Sequence, residues 1–204
     1  MIPVGIVASG RRAASGPTVV VSDSFTRANS AVSMGTADTG QTWLANDGTW
    51  GITSNRAYCT NPANVRYAAV NTAIASPGTK VIQVSARFYG VAGGAYPFVT
   101  LHANASGPWS AGFRAYSDGG SGNVLRIQTG TGTSAASAGA IVDGDLVTLC
   151  ATPSGGNFDV TGYINGALVC TLTAQPMTAT AYAGLSMGSG SVVTFDDFKV
   201  ETIP

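Results

Sequence analysis

The chain has 204 residues, 45% of them hydrophobic and only 10% charged, with 27 glycines. That length accommodates one large β-sandwich, alone or with a short arm, and argues against two equal domains. Ten basic and ten acidic residues cancel, so no global field draws the protein to nucleic acid or to an anionic membrane.

A near-neutral surface of this kind favours association. The apolar runs are only a few residues long, too short for a helix that spans a membrane. The opening MIPVGIVASGRR is apolar first and basic second, the reverse of a secretory signal, and is expected to remain in the mature protein. Residues 1 to 22 form the first compositional unit, ending in the β-branched run Val19 to Val21. The segment is too small for a core of its own, so it is expected to lie along the main body or to dock on a neighbour. Ile2, Val4, Ile6, Val7, Arg11 and Arg12 are its candidate docking residues.

From residue 23 onward, strand-like pieces alternate with turn signals at sandwich spacing. In VIQVSARFYGV, side-chain alternation places Ile82, Val84, Ala86 and Phe88 on one face and Gln83, Ser85 and Arg87 on the other. The same half-buried pattern is expected around 98–103, 111–117 and 123–130, with the glycine-rich DGGSG as the connection between the last two. DLVTLCATPSGGNFDVTGYINGALVCTLTA predicts three strands. Its Asn165-Gly166 pair suits a type I′ hairpin turn, whose two central residues both need positive φ. YAGLSMGSGSVVTFDDFKVE adds two strands around a Gly/Ser turn. No helical periodicity of useful length and no fixed repeat occur, and the class is all-β.

Three segments carry a resemblance: DSFTRANSAVSMGTADTGQTWLANDGTWGITSNRAYC, the V-T-L-C and Y-I-N-G-A-L-V pieces, and F-D-D-F-K-V at Phe195 to Val200. Across residues 23 to 203 the chain resembles the concanavalin A-like, or laminin-G-like, lectin/glucanase superfamily. The resemblance implies a jelly-roll sandwich of two antiparallel sheets over residues 23–204, preceded by the arm. It also implies that the first and last strands lie side by side and that Trp43 and Trp50 pack against a sheet. More narrowly, MIPVGIVASGRR followed by DSFTRANS and a lectin-like domain resembles small minor tail or accessory virion proteins of phages that infect actinobacteria.

Glycosidases of this fold need carboxylates flanking the scissile bond. The only glutamate is Glu201, so a Glu-x-Asp-x-x-Glu strand is absent. Asp196 and Asp197 are adjacent, and neighbours on a regular strand face opposite ways. His102 is the sole histidine, which excludes a multi-histidine zinc site within one chain and favours a structural role in its strand. No phosphate-binding or dinucleotide fingerprint occurs. The cysteines Cys59, Cys150 and Cys170 are too few and too scattered for a disulfide framework, and are expected to be small buried hydrophobes.

Jelly rolls of this superfamily often carry structural calcium near the chain ends. The resemblance makes Asp23 and Asp196 candidate ligands, the alternative being solvated or turn-capping aspartates. Trp109 and Tyr96, in loop-like surroundings, are candidates for stacking on a sugar, against core or interface anchoring. Together these features predict a non-enzymatic virion component, a minor tail protein that binds host-surface glycan. Capsid decoration or a head fibre is a close variant, and a secreted carbohydrate-binding module the alternative class. Virion partners and several copies of the chain, such as a trimer, are expected, because multivalency strengthens weak sites. Neither nucleic acid nor membrane insertion is expected.

Overall fold

The computed structural model describes residues 16–61, 65–72, 80–92, 95–105, 112–130, 132, 134–176, 182–188 and 192–204. The strands in chain order are β1 Thr18–Asp23, β2 Leu44–Asp47, β3 Trp50–Thr53, β4 Arg56–Cys59, β5 Arg66–Asn71, β6 Val81–Tyr89, β7 Pro97–Ala103, β8 Phe113–Asp118, β9 Val124–Thr129, β10 Ser134–Ala140, β11 Leu146–Ser154, β12 Asn157–Ile164, β13 Ala167–Pro176, β14 Tyr182–Met187 and β15 Thr194–Ile203. Among the described residues no helix is long and apolar enough to cross a membrane.

These strands form two antiparallel sheets. One follows the order β13-β12-β11-β6-β15-β4-β3, with β1 on β15 as its eighth strand, and the other has seven strands in the order β10-β9-β8-β7-β14-β5-β2. Runs of consecutive strands stay within one sheet, as β7 to β10 and β11 to β13 do, and the chain then crosses: β14 joins the seven-stranded sheet and β15 the eight-stranded one. This is the jelly-roll sandwich expected from the sequence. The first and last strands pair from Thr18↔Thr202 to Asp23↔Phe198. The sandwich thus begins at Thr18 instead of residue 23, because the β-branched run Val19 to Val21 extends the last strand's ladder. The six candidate docking residues of the arm lie outside the described residues.

The core lies between the sheets. Ile82, Val84, Ala86 and Phe88 of β6 face it at 0–1% exposure, as alternation requires. Trp50 is fully buried and tilts against Phe195, whose ring meets Phe88 edge-on at 5.6 Å. Asn165 and Gly166 have φ of 50° and 81°, the positive pair a type I′ turn needs, and they close β12 on β13. The three cysteines are free and buried. His102 is 2% exposed and stacks on Phe158 at 4.8 Å, a packed position. The half-wet pattern expected at 98–103 does not occur: every residue of β7 is buried, because this central strand is covered on both faces.

Residues 24 to 43 form no long strand, and Asp23 anchors them. Its carboxylate, 1% exposed, accepts hydrogen bonds from Trp43 Nε1 at 2.6 Å, Arg27 Nη2 at 2.5 Å and Phe25 N at 2.8 Å. Burial pushes this carboxyl above the usual carboxylate range, while the three donors pull the other way. Arg27 also donates to Thr36 O at 2.7 Å. Trp43 lies edge-on to Phe198 at 5.0 Å and tilts over Phe25 at 5.8 Å. One buried carboxylate therefore joins the first strand, the excursion that follows it and the last strand.

Asp23→Ala leaves Arg27 Nη2 and the Trp43 N–H without their acceptor. It should cost about 3 kcal/mol and lower Tm by roughly 6–12 °C. Asp38→Ala, which loses one exposed bond from Ser24 N, should cost about 1 kcal/mol. Equal costs in thermal melts would contradict the anchoring role.

Candidate glycan-binding face

Residues directly opposite one another in antiparallel strands share a face. Following the register across the seven-stranded sheet gives one outward row: Asp47, Tyr67, Ser186, Phe98, Tyr116 and Arg126. The next row holds Ala69, Gly184, Thr100, Arg114 and Gln128. Inward positions between them, including Leu185, Val99, Ala115 and Ile127, are fully buried in the core.

The outward rows change character from centre to side. Tyr67, Ala69, Thr100 and Ser186 are fully buried, and Thr100 Oγ1 donates to the Tyr67 hydroxyl at 3.4 Å. Ser186 Oγ is buried with no hydrogen-bond partner among the described residues. Toward β8 and β9 the face opens, and Arg114, Tyr116, Asp118, Arg126 and Gln128 are half-buried. Phe98, 7% exposed, stacks against Tyr116 with ring centroids 4.8 Å apart and planes at 28°.

Polar partners hold this opening in shape. Arg126 bonds Asp118 Oδ2 through Nη2 at 2.8 Å and Nε at 3.0 Å. Arg114 donates to Gln128 Oε1 through Nη2 at 2.7 Å and Nε at 3.1 Å. Burial raises the Tyr116 phenol above its ordinary pKa, with Arg126 and Arg114 lowering it and Asp118 and Tyr96 raising it. Burial likewise pushes Tyr67 well above the ordinary phenol range. Both hydroxyls are therefore protonated at neutral pH and can donate as well as accept. A half-open aromatic ring beside fixed guanidinium donors can take a sugar's apolar face and its hydroxyls together.

Of the residues expected from the sequence, Tyr96 adjoins this face. Its hydroxyl accepts from Gly120 N at 3.1 Å and its carbonyl from Gly188 N at 2.7 Å, so it braces the β8–β9 connection against the end of β14. Trp109 lies outside the described residues. Asp23 and Asp196 do not fit the calcium expected of them. Calcium takes six to eight oxygens, carboxylates among them, whereas the buried Asp23 carboxylate already accepts from a guanidinium, an indole and a backbone N–H. Asp196 stands in register with Arg87 and accepts from Asp197 N at 2.8 Å. Among the described residues, no group of three or more His, Cys, Asp or Glu is placed to hold a metal.

The alternation argument for Asp196 and Asp197 is overturned. The ladder with β6 shifts between Asp196 and Lys199, and Asp197 has a φ of 50°. Two residues thus separate the inward-facing Phe195 and Phe198, and neither aspartate enters the core. Asp197 is tied to Arg87 at 2.8 Å. On the seven-stranded sheet, the outward carboxylates Asp47 and Asp118 are four strand spacings apart, about 19 Å. A glycosidase pair works at about 5–9.5 Å. Tyr116, Phe98, Arg114, Arg126 and Gln128 were not singled out from the sequence, although all five lie in stretches expected to be half-buried strands, and the burial pattern of FRAYSD and VLRIQT puts the last three and Tyr116 outside the core.

No protein-family model matches the chain, and no curated protein matches it in sequence. Solved structures do match it in fold. The Emp47p carbohydrate recognition domain superposes with a TM-score of 0.62 at 12% identity, covering 92% of this chain and 96% of its own. The carbohydrate-binding module CBM66 from Bacillus subtilis gives 0.54 at 14% identity, over 78% and 94% of the two chains. An endo-1,3-beta-glucanase from Streptomyces sioyaensis gives 0.58 at 13% identity, over 100% and 99%. Together with the sheet topology, these likenesses establish the concanavalin A-like jelly-roll fold.

Proposed function

We propose that this chain is a non-enzymatic, glycan-binding component of a phage virion, a minor tail protein whose jelly roll adheres to host-surface carbohydrate. The observation that carries the glycan reading is the half-open Tyr116 ring backed by Phe98 and flanked by fixed Arg114 and Arg126. Its setting is a fold shared with solved carbohydrate-binding domains. The separation of the outward carboxylates on this face supports binding over hydrolysis.

The virion reading is supported by the apolar and basic segment of residues 1–15 ahead of β1, by the near-zero net charge and by the resemblance described above. In this reading Ile2, Val4, Ile6, Val7, Arg11 and Arg12 dock on a neighbouring virion protein or a second copy of the chain. Several copies, such as a trimer, multiply a weak glycan contact. The likeness to a free-standing carbohydrate-binding module favours a second reading, a secreted module.

Tyr116→Ala should weaken binding to purified host-envelope polysaccharide tenfold or more while costing less than about 1.5 kcal/mol of stability. Phe98→Ala, which empties a buried position, should cost about 3 kcal/mol. Unchanged binding by a folded Tyr116→Ala protein would refute the face, and new reducing ends released from the polysaccharide would refute the non-enzymatic reading. Mass spectrometry and immunogold labelling of purified particles should locate the chain on the tail or head. Deleting residues 2 to 17, which spares β1, should abolish incorporation with the sandwich still folded. Absence of the full chain from particles would favour the secreted module.

A further inference from the structure

The eight-stranded sheet also presents an outward row. Register places Ser22, Lys199, Ser85, Thr148 and Tyr163 directly opposite one another on β1, β15, β6, β11 and β12. Two clefts of about 350 and 340 Å³ lie along it. The first is lined by Ser22, Ser85, Lys199 and Asp38, the second by Gln83, Thr148 and Tyr163, and Leu146 lines both. Five strands at about 4.8 Å spacing make this row about 19 Å long. That suits an extended chain of several sugar rings better than one small molecule.

The hollow has a local cause. Serine and threonine occupy three of the five row positions, and two of them, Ser85 and Thr148, lie between the longer Lys199 and Tyr163 side chains. The bulge at Asp196–Lys199 adds a residue on the outside of β15, and Asp197, held at a φ of 50°, forms one wall with Arg87. Bulges and positive-φ residues other than glycine concentrate where a strand must re-aim a side chain.

Charge decides the ligand class. Arg87 is bound to Asp197 at 2.8 Å and Lys199 to Glu201 at 3.2 Å, so each cation carries its own counter-ion. A site for phosphate or another anion would need cations free of such partners. Hydroxyls, a paired ammonium, the Gln83 amide and a phenol instead offer alternating donors and acceptors.

We propose that this groove is a second binding site, distinct from the Tyr116 face, and that it takes an uncharged polyhydroxylated chain, an oligosaccharide. The inference adds a site on the opposite side of the sandwich to the function proposed above. With both in place, one chain can engage two glycan strands at once, an internal multivalency.

The test is a glycan array carrying bacterial envelope polysaccharides and β-1,3-glucan oligosaccharides, probed with the full chain and its variants. For at least one glycan, the signal should fall tenfold or more in both Lys199→Ala and Tyr163→Ala while Tyr116→Ala leaves it unchanged. Lys199→Gln, which keeps the stem, replaces the alanine variant if that one fails to fold. If every glycan signal depends on Tyr116 and none on Lys199 or Tyr163, the groove is overturned and the first face stands. An array on which the folded wild-type chain gives no signal overturns both.

Discussion

The buried carboxylate of Asp23 is the point on which the sandwich turns. It ends β1 in register with Phe198 and takes donors from the backbone, from Arg27 and from Trp43. It ties down both ends of the stretch from 24 to 43, at Phe25 and at Trp43, while Ser30 bridges Ile52 between them. A buried charge is tolerated only when paired and hydrogen-bonded, and three donors meet that demand. The same stretch covers the outer edge of β1. Gln41 Nε2 donates to Val20 O at 3.0 Å, Thr39 Oγ1 accepts from Ser22 N at 3.0 Å and Asp38 from Ser24 N at 2.8 Å. Side chains thereby occupy backbone groups that an exposed edge would offer to another strand.

With the two sheets locked, their outer faces are free to differ. The seven-stranded sheet buries the middle of its outer face around Tyr67 and Ser186 and opens toward β8 and β9. There an aromatic pair lies beside two guanidiniums, each restrained by a partner on its own or the adjacent strand. Restraint of this kind lowers the side-chain ordering cost of binding. The eight-stranded sheet is instead lined by short hydroxyl side chains and self-neutralised ion pairs. One face is thus built around an aromatic ring and the other around hydroxyls, so the two proposed sites should differ in glycan preference.

Much of this architecture was legible in the sequence. Strict alternation in β6 assigned each side chain its face, Asn165-Gly166 specified a hairpin, and the family resemblance carried by DSFTRANS and FDDFKV implied that the first and last strands pair. The failures have physical reasons. β7 alternates no better than a strand covered on both sides must, so its hydrophobic run hides which face is outward. The bulge beside Asp197 breaks period two without a glycine to signal it. Asp23 resembled a surface ligand because its burial depends on Trp43, twenty residues away. The candidate face was half legible: Arg114, Tyr116, Arg126 and Gln128 lie in stretches where a half-buried alternation was expected, but their meeting in two cross-strand rows depends on a strand order that no local pattern encodes.

In the proposed function, glycan is bound on the β8–β9 side of the seven-stranded sheet. Backbone amide NMR of the full chain, titrated with a soluble fragment of host-envelope polysaccharide, tests it most directly. The account predicts saturable shift changes centred on Tyr116, Arg126 and Gln128. Shifts confined to other surfaces, with these amides unmoved at saturation, would contradict it.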